Sequence, residues 1–330
     1  MRIRPVVLCG GGGARLWPTS TPERPKSFVD FGSGSLLQAT LVRCRGLDDG
    51  PVVVVGALAH RDLLTAQLAR KNIPTTLVLE PTPRDTAPAM LAGALRAAGD
   101  DPEAIVVLLP SDHQVTDPTA FLDAVRQAAA EAARGRLVVF GVRPDAPSSA
   151  YGYIRPAGPG LAAVAAFLEK PDLAVAARLM AEGCLWNGGV LVARIDVLVA
   201  EMRRWLPEAV TAVTAALSDD EVLGPTFAEA PRISMDYAVL ERTDLARVLP
   251  VDFGWSDLGA WDAVAAHVPG RDHDVARVDA DRVWVRAPTG VKVAVVGLSD
   301  LVVVVEHGAI LVCSTSAAQQ VRRVAEQFES

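Results

Sequence analysis

The stretch that decides the fold is GGGGARLWPTSTPERPK, residues 10–26, which directly follows the apolar run Val6–Leu8. Glycines after a strand let the chain turn with positive φ and let backbone N–H groups approach an anion closely, because no Cβ obstructs them. Arg15 adds a fixed fork of donors for phosphate oxygens, and Lys26 adds a mobile point charge. The segment therefore predicts a polyphosphate site, although a glycine run after a strand can also be only a tight turn.

Two commoner phosphate motifs do not fit this segment. A dinucleotide fingerprint started at Gly11 needs a glycine at position 16, where Leu16 stands, and a P-loop needs Gly-Lys-Ser/Thr after its glycines. Three prolines lie between Arg15 and Lys26 and favour an extended chain. The two cations can therefore approach a polyphosphate from different directions.

Apolar runs of strand length alternate with longer alanine-rich segments of helical spacing over the first half of the chain. This alternation predicts an α/β fold, with a Rossmann-like, mostly parallel sheet flanked by helices. The residues from Ser35 to Gln38 form a candidate capping box, and Asp117-Pro118 is typical of a helix start. The predicted strands are Val6–Leu8, Val52–Val55, Thr76–Leu79, Ile105–Leu109 and Leu137–Val142.

Gly10, Glu80 and Asp112 each come shortly after a predicted strand. Ligands of open α/β sheets bind beyond the carboxyl ends of the strands. We therefore expect these three residues to line one crevice.

The pattern changes after residue 268 to short valine-rich strands separated by glycines. These strands are predicted at Val283–Val285, Val291–Val296 and Leu301–Val305, and a terminal helix is predicted with its cap at Ser316. We expect a large domain over residues 1–268 and a small β domain over residues 269–330.

Composition excludes several classes of function. With 32 basic and 39 acidic residues, net charge −7 and no Lys/Arg block, a nucleic-acid surface is not expected. The four cysteines have no C-x-x-C spacing, which favours buried free thiols over a zinc site or disulfides. No signal peptide and no apolar run of about 18 residues is found, so we expect a cytoplasmic protein without a membrane partner.

Residues 10–26 resemble the signature G-G-x-G-x-R-L-x-P followed by P-K of the sugar-nucleotide pyrophosphorylases. Trp17 at the variable position is typical of the bacterial mannose-1-phosphate guanylyltransferases. Three positions, Gly12, Asp85 and Gly188, depart from the family pattern, and none removes a charged group. Six more segments resemble that family in the same order, namely EPTPRDTAPA from Glu80, LLPSDH from Leu108, YGYI from Tyr151, FLEKP from Phe167, LWNGG from Leu185 and GWSDLGAW from Gly254.

The resemblance implies transfer of GMP from GTP to α-D-mannose 1-phosphate, which gives GDP-mannose and pyrophosphate with Mg²⁺ or another divalent cation. It also implies a C-terminal region of β-helix-like coils. A related pyrophosphorylase for another hexose 1-phosphate or nucleotide is the nearer alternative, and a catalytically silent regulatory homologue is the more distant one. A homodimer is among the assemblies that the sequence allows.

The predicted catalytic residues are Arg15 and Lys26, which would bind the triphosphate and the departing pyrophosphate. Asp112 and Asp257 lie in motifs that resemble the metal ligands of the family, although each is also a candidate helix-cap or turn aspartate. His113 needs no role as a base, because the attacking phosphate is already ionised. The predicted nucleotide-binding residues are Leu8, Gly10, Gly11, Gly12, Gly13, Arg15, Lys26, Glu80, Asp85 and Asp112.

Glu80 and Asp85 are candidate guanine readers, because a carboxylate accepts hydrogen bonds from the N1–H and amino group of guanine and is repelled by N1 of adenine. Asp85 is an equally good helix N-cap.

For the sugar phosphate, Lys170 would hold the phosphate and Glu169 the hydroxyls, although a solvated Glu-Lys surface pair is the commoner arrangement. The resemblance adds Asn187 as a hydroxyl ligand and Gly152 as a point of backbone access to the sugar ring.

Overall fold

The computed structural model describes residues 2–32, 34–47 and 50–328. Within these residues most of the chain is in strands and helices. The strands are β1 (Ile3–Cys9), β2 (Val52–Ala57), β3 (Thr75–Glu80), β4 (Ile105–Pro110), β5 (Gln114–Val115), β6 (Leu137–Val142), β7 (Tyr153–Pro156), β8 (Ala162–Leu168), β9 (Leu185–Arg194), β10 (Ala246–Val251), β11 (Trp255–Ser256), β12 (Val275–Val278), β13 (Val283–Arg286), β14 (Val293–Val296), β15 (Leu301–Glu306) and β16 (Ala309–Ser314).

The predicted helix starts are confirmed. Ser35 and Gln38 exchange the two hydrogen bonds of a capping box, and Asp117 caps its helix by accepting from the N–H of Ala120. The α-helices are α1 (Leu36–Cys44), α2 (Arg61–Ala69), α3 (Thr86–Ala98), α4 (Pro118–Ala132), α5 (Leu173–Ala181), α6 (Ile195–Trp205), α7 (Pro207–Ala216), α8 (Trp261–His267) and α9 (Val321–Phe328).

The described chain divides into two compact units, and each is described by itself. The first comprises residues 2–10, 40–47, 50–111 and 115–255, and the second comprises residues 11–32, 34–39, 112–114 and 256–328.

The first unit holds a sheet with the strand order β3-β2-β1-β4-β9-β6-β10-β8-β7. Neighbours are parallel from β3 to β4, with Val6 opposite Val53 and Leu108, and β10 is parallel to β6. Strand β9 is antiparallel to β4 and β6, so the complete sheet is mixed. The five strands predicted from apolar runs are all present.

The central strands of the first unit are buried on both faces. In β4 the residues Ile105–Leu109 are at most 1% exposed, which explains why the strands appear in the sequence as continuous apolar runs. Helix α3 covers one side of the sheet with small residues, and Ala87, Leu91 and Ala94 are fully buried there.

The second unit contains short parallel strands whose partners are 18 positions apart. Val275 lies opposite Val293 in the β12–β14 pair, and Val283 lies opposite Leu301 in the β13–β15 pair. Repeated parallel pairing at one spacing is the geometry of β-helical coils. The predicted β-helix-like region is therefore confirmed.

The apolar core of the second unit joins the sequence around Leu16 to the β-helical strands. Leu16, Trp261 and Val302 are each 0% exposed and belong to one hydrophobic cluster. The terminal helical segment differs in one detail from the prediction: its cap is Ser314, whose side chain accepts from the N–H of Ser316. Both serines lie at the turn, and only Ser314 has the extended backbone that an N-cap requires.

In the part of the chain that the structure describes, no helix is both long and apolar enough to cross a membrane.

Candidate active site

The glycine loop begins where β1 ends. Gly11 and Gly13 have φ values of +91° and +66°, which other residues rarely adopt. A Cβ added at Gly13 would lie 2.6 Å from the Cβ of Lys26, so the loop packs directly against the lysine backbone. A Cβ at Gly10, Gly11 or Gly12 would meet no atom of the described residues within 4 Å. These three positions leave open space above the backbone, as close approach of a ligand requires.

Lys26 begins the one-turn 3₁₀ helix Lys26–Phe28, and its side chain is only 6% exposed. Its Nζ donates a hydrogen bond of 2.8 Å to Oδ2 of Asp112 and a second hydrogen bond to the backbone carbonyl of Asp257. Because both oxygens accept from the same ammonium, they can be no more than about 6 Å apart, which is twice an ordinary hydrogen-bond length. Lys26 therefore holds the Asp112 side chain and the Asp257 backbone at one point.

Charge keeps Asp112 ionised. Burial alone would raise the pKa of Asp112, but the ammonium of Lys26, with a smaller effect of His113, outweighs burial and holds that pKa below its usual range. The side chain is 22% exposed, so the carboxylate keeps some access to solvent.

Asp257 is held in a turn that faces Arg15. Its Oδ1 accepts from the N–H of Gly259 at 2.9 Å, which is the pattern of an Asx-turn. A Cβ at Gly259 would collide with the Asp257 carboxylate and lie 3.1 Å from Nη2 of Arg15. The other terminal nitrogen of Arg15, Nη1, donates to Oε1 of Gln319 at 2.9 Å. Because Asp257 and Arg15 both border the space at Gly259, four predicted residues form one group in the second unit, the Lys26 cluster: Arg15, Lys26, Asp112 and Asp257.

A second group of polar side chains, the Lys170 cluster, lies in the first unit and consists of Glu169, Lys170, Asn187 and Asp236. Glu169 and Lys170 follow β8, and Lys170 has a φ of +45°. Lys170 Nζ donates to Oε1 of Glu169 at 2.5 Å, with the lysine side chain 61% exposed and the glutamate 10% exposed. The Lys170 ammonium thus reaches solvent, while the Glu169 carboxylate that it contacts is largely buried.

Gly152 makes room for Glu169. A Cβ at position 152 would lie 2.5 Å from Oε2 of Glu169, so a larger residue would displace the carboxylate. The carbonyl of Gly152 accepts from the backbone N–H of Asn187 at 2.8 Å. The predicted sugar-phosphate residues Gly152, Glu169, Lys170 and Asn187 therefore lie together.

Asp236 completes the Lys170 cluster and is absent from the sequence-based prediction. Its Oδ1 accepts from Nδ2 of Asn187 at 2.9 Å. Burial, and after it the charge of Glu169, raise the pKa of Asp236 to about 6. No glycine marks the position in the sequence, and a single acid in the run SMDYAVL, residues 234–240, gives little local signal.

Glu80 ends β3 and carries an unpaired buried oxygen. Its Oε1 has no hydrogen-bond partner among the residues that the structure describes, and burial raises the pKa of Glu80 to about 7. An orphaned buried acceptor costs free energy unless a ligand supplies the donor. This geometry fits the contact to a guanine donor that the sequence suggests.

Asp85 caps α3. Its Oδ1 accepts from the N–H of Thr86 at 2.8 Å, and its φ is +65°. The capping role is therefore present, and a guanine contact stays a prediction. Leu8 ends the run before the glycines, and its carbonyl accepts from the N–H of Ser111 at 3.0 Å.

Comparison with known proteins assigns this constellation to a family. The family model described as "Nucleotidyl transferase" matches residues 4–269. The chain belongs to the nucleotidyl transferase family. A second family model, "MannoseP isomerase/GMP-like beta-helix domain", matches residues 273–328.

Similar proteins match nearly the whole chain or all of it. The Xanthan biosynthesis protein XanB of Xanthomonas campestris pv. campestris (strain B100) is 37% identical over 345 residues, which is 99% of this chain and 73% of the relative. The mannose-1-phosphate guanylyltransferase of Escherichia coli (strain K12) is 36% identical over 354 residues, which is 100% of this chain and 74% of the relative. The resemblance found in the sequence is thereby confirmed.

A crystal structure from Thermus thermophilus, described as a mannose-1-phosphate geranyltransferase, covers 100% of both chains with a TM-score of 0.89 and 32% identity. This agreement confirms the nucleotidyltransferase fold with a C-terminal β-helix-like region.

The carboxylates of this nucleotidyl transferase do not form a closed metal site. Among the described residues, no group of three or more His, Cys, Asp or Glu side chains is arranged to hold a metal ion. Asp112 and Asp257 offer two hard oxygen donors in the Lys26 cluster. Mg²⁺ usually takes one or two carboxylates and completes its octahedron with phosphate and water, so this donor set fits Mg²⁺ bound together with a nucleotide.

Proposed function

We propose that this chain transfers GMP from GTP to α-D-mannose 1-phosphate and so forms GDP-mannose and pyrophosphate. The observation that carries the proposal is the Lys26 cluster. It gathers two cations and two carboxylates from three distant motifs beside a glycine loop with open space above it. Positioning and charge neutralisation are what nucleotidyl transfer requires of a protein.

In the proposed reaction, a phosphate oxygen of mannose 1-phosphate attacks the α-phosphorus of GTP. The bond between the α-phosphorus and the bridging oxygen to the β-phosphate breaks, and pyrophosphate leaves with that electron pair. The attacking oxygen is ionised near neutral pH, so no general base is needed. Arg15 and Lys26 bind the triphosphate and stabilise the charge that develops on the leaving group.

Asp112 and Asp257 would hold a divalent cation, Mg²⁺ in the first instance. The bound ion would supply Lewis-acid neutralisation of the phosphate oxygens. Lys26, whose Nζ donates to Oδ2 of Asp112, would orient that carboxylate for the ion. The protein's own contribution is to keep Asp112 ionised before the nucleotide arrives.

The Lys170 cluster would bind the acceptor. Lys170 has an exposed ammonium for the phosphate of mannose 1-phosphate, and Glu169 and Asn187 offer acceptors and a donor for the sugar hydroxyls. Burial lowers the pKa of Lys170, but the hydrogen bond and charge of Glu169 outweigh burial, and the net pKa is raised. The lysine therefore stays a cation across the working pH range.

Glu80 would read the base. Its unpaired Oε1 supports a contact with a donor of guanine, whereas N1 of adenine is an acceptor and would leave Glu80 unsatisfied. Asp85 and the residues Leu8, Gly10, Gly11, Gly12 and Gly13 complete the proposed nucleotide-binding set.

We also propose that residues 1–268 form the catalytic domain and residues 269–330 a separate β domain, which the spans of the two family models support. A cytoplasmic location and a homodimer remain predictions. The burial of Cys44 and Cys184 as free thiols favours a reducing compartment.

A substrate panel tests the proposed function. Pyrophosphate release is measured with Mg²⁺ for GTP, ATP, UTP and dTTP, each combined with the 1-phosphates of mannose, glucose and galactose. We expect GTP with mannose 1-phosphate to give the highest kcat/KM. A higher value for any other pair would reassign the substrate, and no release with any pair would leave the chain a silent homologue.

A further inference from the structure

Asp236 lies beside three predicted ligands of the sugar phosphate in the first unit, namely Glu169, Lys170 and Asn187. It contacts Asn187 directly, and the charges of Glu169 and Lys170 act on it. The sequence alone gives this residue no role. Its position therefore calls for an explanation from geometry.

The hydrogen bond between Asn187 and Asp236 has a fixed direction. Oδ1 of Asn187 accepts from the N–H of Gly189 at 3.1 Å, so the amide oxygen is occupied and the NH₂ group must point toward Asp236. A carboxylate has about four acceptor sites. Asn187 and the backbone N–H of Asp236 itself use two of them, so acceptor capacity remains.

The backbone places Asp236 firmly. Residues Asp236–Leu240 form a single π-helical turn, a rare conformation that is frequent at functional sites. The preceding residue, Met235, donates its N–H to Oγ1 of Thr86 at 2.9 Å, and Ile233 accepts from the N–H of Ala87 at 3.1 Å. The Asp236 turn is thus tied to the start of α3, next to the candidate base reader Asp85.

The arrangement is unfavourable for stability in the free protein. Two carboxylates, Glu169 and Asp236, share one cluster with one ammonium, and Asp236 is largely removed from water. A neutral residue would fit this position at lower electrostatic cost, because burial and a like charge both disfavour the ionised form. Groups kept in such a state are typical of ligand-binding sites.

We infer that Asp236 accepts a hydrogen bond from a hydroxyl of the hexose ring and so determines which hexose 1-phosphate is accepted. The inference rests on the proposed function and deepens it, since it adds a specificity-determining residue to the acceptor site. Asn187 positions the Asp236 carboxylate. Glu169 accepts a hydrogen bond from a different hydroxyl, and Lys170 binds the phosphate. A sugar ring with at least two hydroxyls directed at the Lys170 cluster donates one hydrogen bond to each of the two carboxylates.

Deoxy sugars test the inference. For each protein, kcat/KM is measured with GTP and mannose 1-phosphate and with its 2-, 3-, 4- and 6-deoxy analogues. The proteins are the wild type, Asp236→Ala, Asp236→Asn and the control Glu241→Gln. Glu241 is a matched acid of the same unit, because burial and, after it, the charge of Glu169 raise its pKa, while the hydrogen bond from Asn187 goes to Asp236.

In the wild type, loss of the hydroxyl that meets Asp236 should reduce kcat/KM by about 10- to 100-fold, the size of a hydrogen bond to a charged group. In Asp236→Ala that one analogue should have the same kcat/KM as mannose 1-phosphate, while the other three analogues should still have a reduced kcat/KM. Glu241→Gln should keep all four reductions in kcat/KM. The inference would be overturned if each deoxy analogue reduced kcat/KM by the same factor in Asp236→Ala as in the wild type. It would also be overturned if the substitution diminished all four reductions equally, because Asp236 would then only position Asn187.

Stability provides a second readout. Because folding raises the pKa of Asp236, its ionised form opposes folding above pH 6, and Asp236→Asn should melt at or above the wild-type temperature at pH 8. A clear fall in Tm would instead indicate a structural carboxylate. If the wild type uses a different hexose 1-phosphate, the proposed substrate is wrong, and the deoxy series of that sugar decides the role of Asp236. If no hexose 1-phosphate is used, both proposals fail.

Discussion

The effects of the substitution Lys26→Met can be derived from the contacts of the lysine side chain. The side chain is 6% exposed and donates to Asp112 and to the carbonyl of Asp257, so methionine keeps most of the packing and removes the charge. A cationic contact that strengthens in the transition state contributes about 3 kcal/mol, which corresponds to roughly 100-fold in kcat. We therefore expect kcat to fall by about 100-fold or more.

The same substitution should also destabilise the fold, because it leaves the Asp112 carboxylate without its cation. Breaking a fully buried ion pair costs about 3–5 kcal/mol, but Asp112 is 22% exposed and water replaces part of the loss. A cost of about 1–3 kcal/mol follows, equivalent to a fall in Tm of several degrees. The sequence alone suggests a mobile charge with little effect on folding, and burial of Lys26 changes that expectation.

The assay is pyrophosphate release at saturating GTP and mannose 1-phosphate, together with a melting curve. Lys292→Met is the matched control, since Lys292 is an exposed lysine of the same unit and should change neither quantity. A folded Lys26→Met enzyme with kcat within about threefold of the wild type would refute the catalytic role of Lys26.

The remaining predictions concern the other substrates and the metal. Lys170→Met should raise KM for mannose 1-phosphate far more than KM for GTP, and equal increases in initial-rate measurements would count against its role in acceptor binding. Because burial raises the pKa of Glu80 to about 7, KM for GTP should rise about 10-fold as pH falls from 8 to 6, and Glu80→Gln should abolish this dependence. The folded state favours protonated Glu80, so the stability associated with that proton is lost between pH 4.5 and about 7, and Glu80→Gln should melt higher than the wild type at pH 8. Asp257→Asn should shift the Mg²⁺ dependence of turnover to higher concentration with Tm unchanged, and a normal Mg²⁺ titration would remove Asp257 from the metal site. Asp85→Asn preserves an acceptor for the N–H of Thr86, so a change in GTP/ATP selectivity at constant Tm would establish a guanine contact beyond capping.

The sequence predicts β1, β2, β3, β4 and β6 because these strands are buried on both faces and form continuous apolar runs. Each apolar run from Val6–Leu8 to Leu137–Val142 lies within an observed strand. Strand β8 is not predicted from the sequence, because four of its seven residues are alanines, which favour helix over strand, and its side chains are only partly buried. Ser314 and Ser316 are both cap formers, and only backbone geometry separates them.

Some residues of the candidate site can be predicted from the sequence, and others are placed only by the tertiary structure. Glycines and charged residues in recognisable motifs predict Arg15, Lys26, Asp112 and Asp257, which the fold gathers in one unit. Asp236 carries no motif of its own, and only the tertiary structure places it against Asn187. The space that Gly152 leaves for Glu169 is likewise a property of the fold and not of the local sequence.

Product analysis tests the central claim most directly. The wild-type protein is incubated with GTP, mannose 1-phosphate and Mg²⁺, and the phosphorus-containing products are identified by ³¹P NMR and mass spectrometry. GMP transfer predicts GDP-mannose and pyrophosphate in equal amounts, with both substrates consumed at the same rate. Consumption of GTP without GDP-mannose, or no consumption of either substrate by the folded protein, would contradict the account.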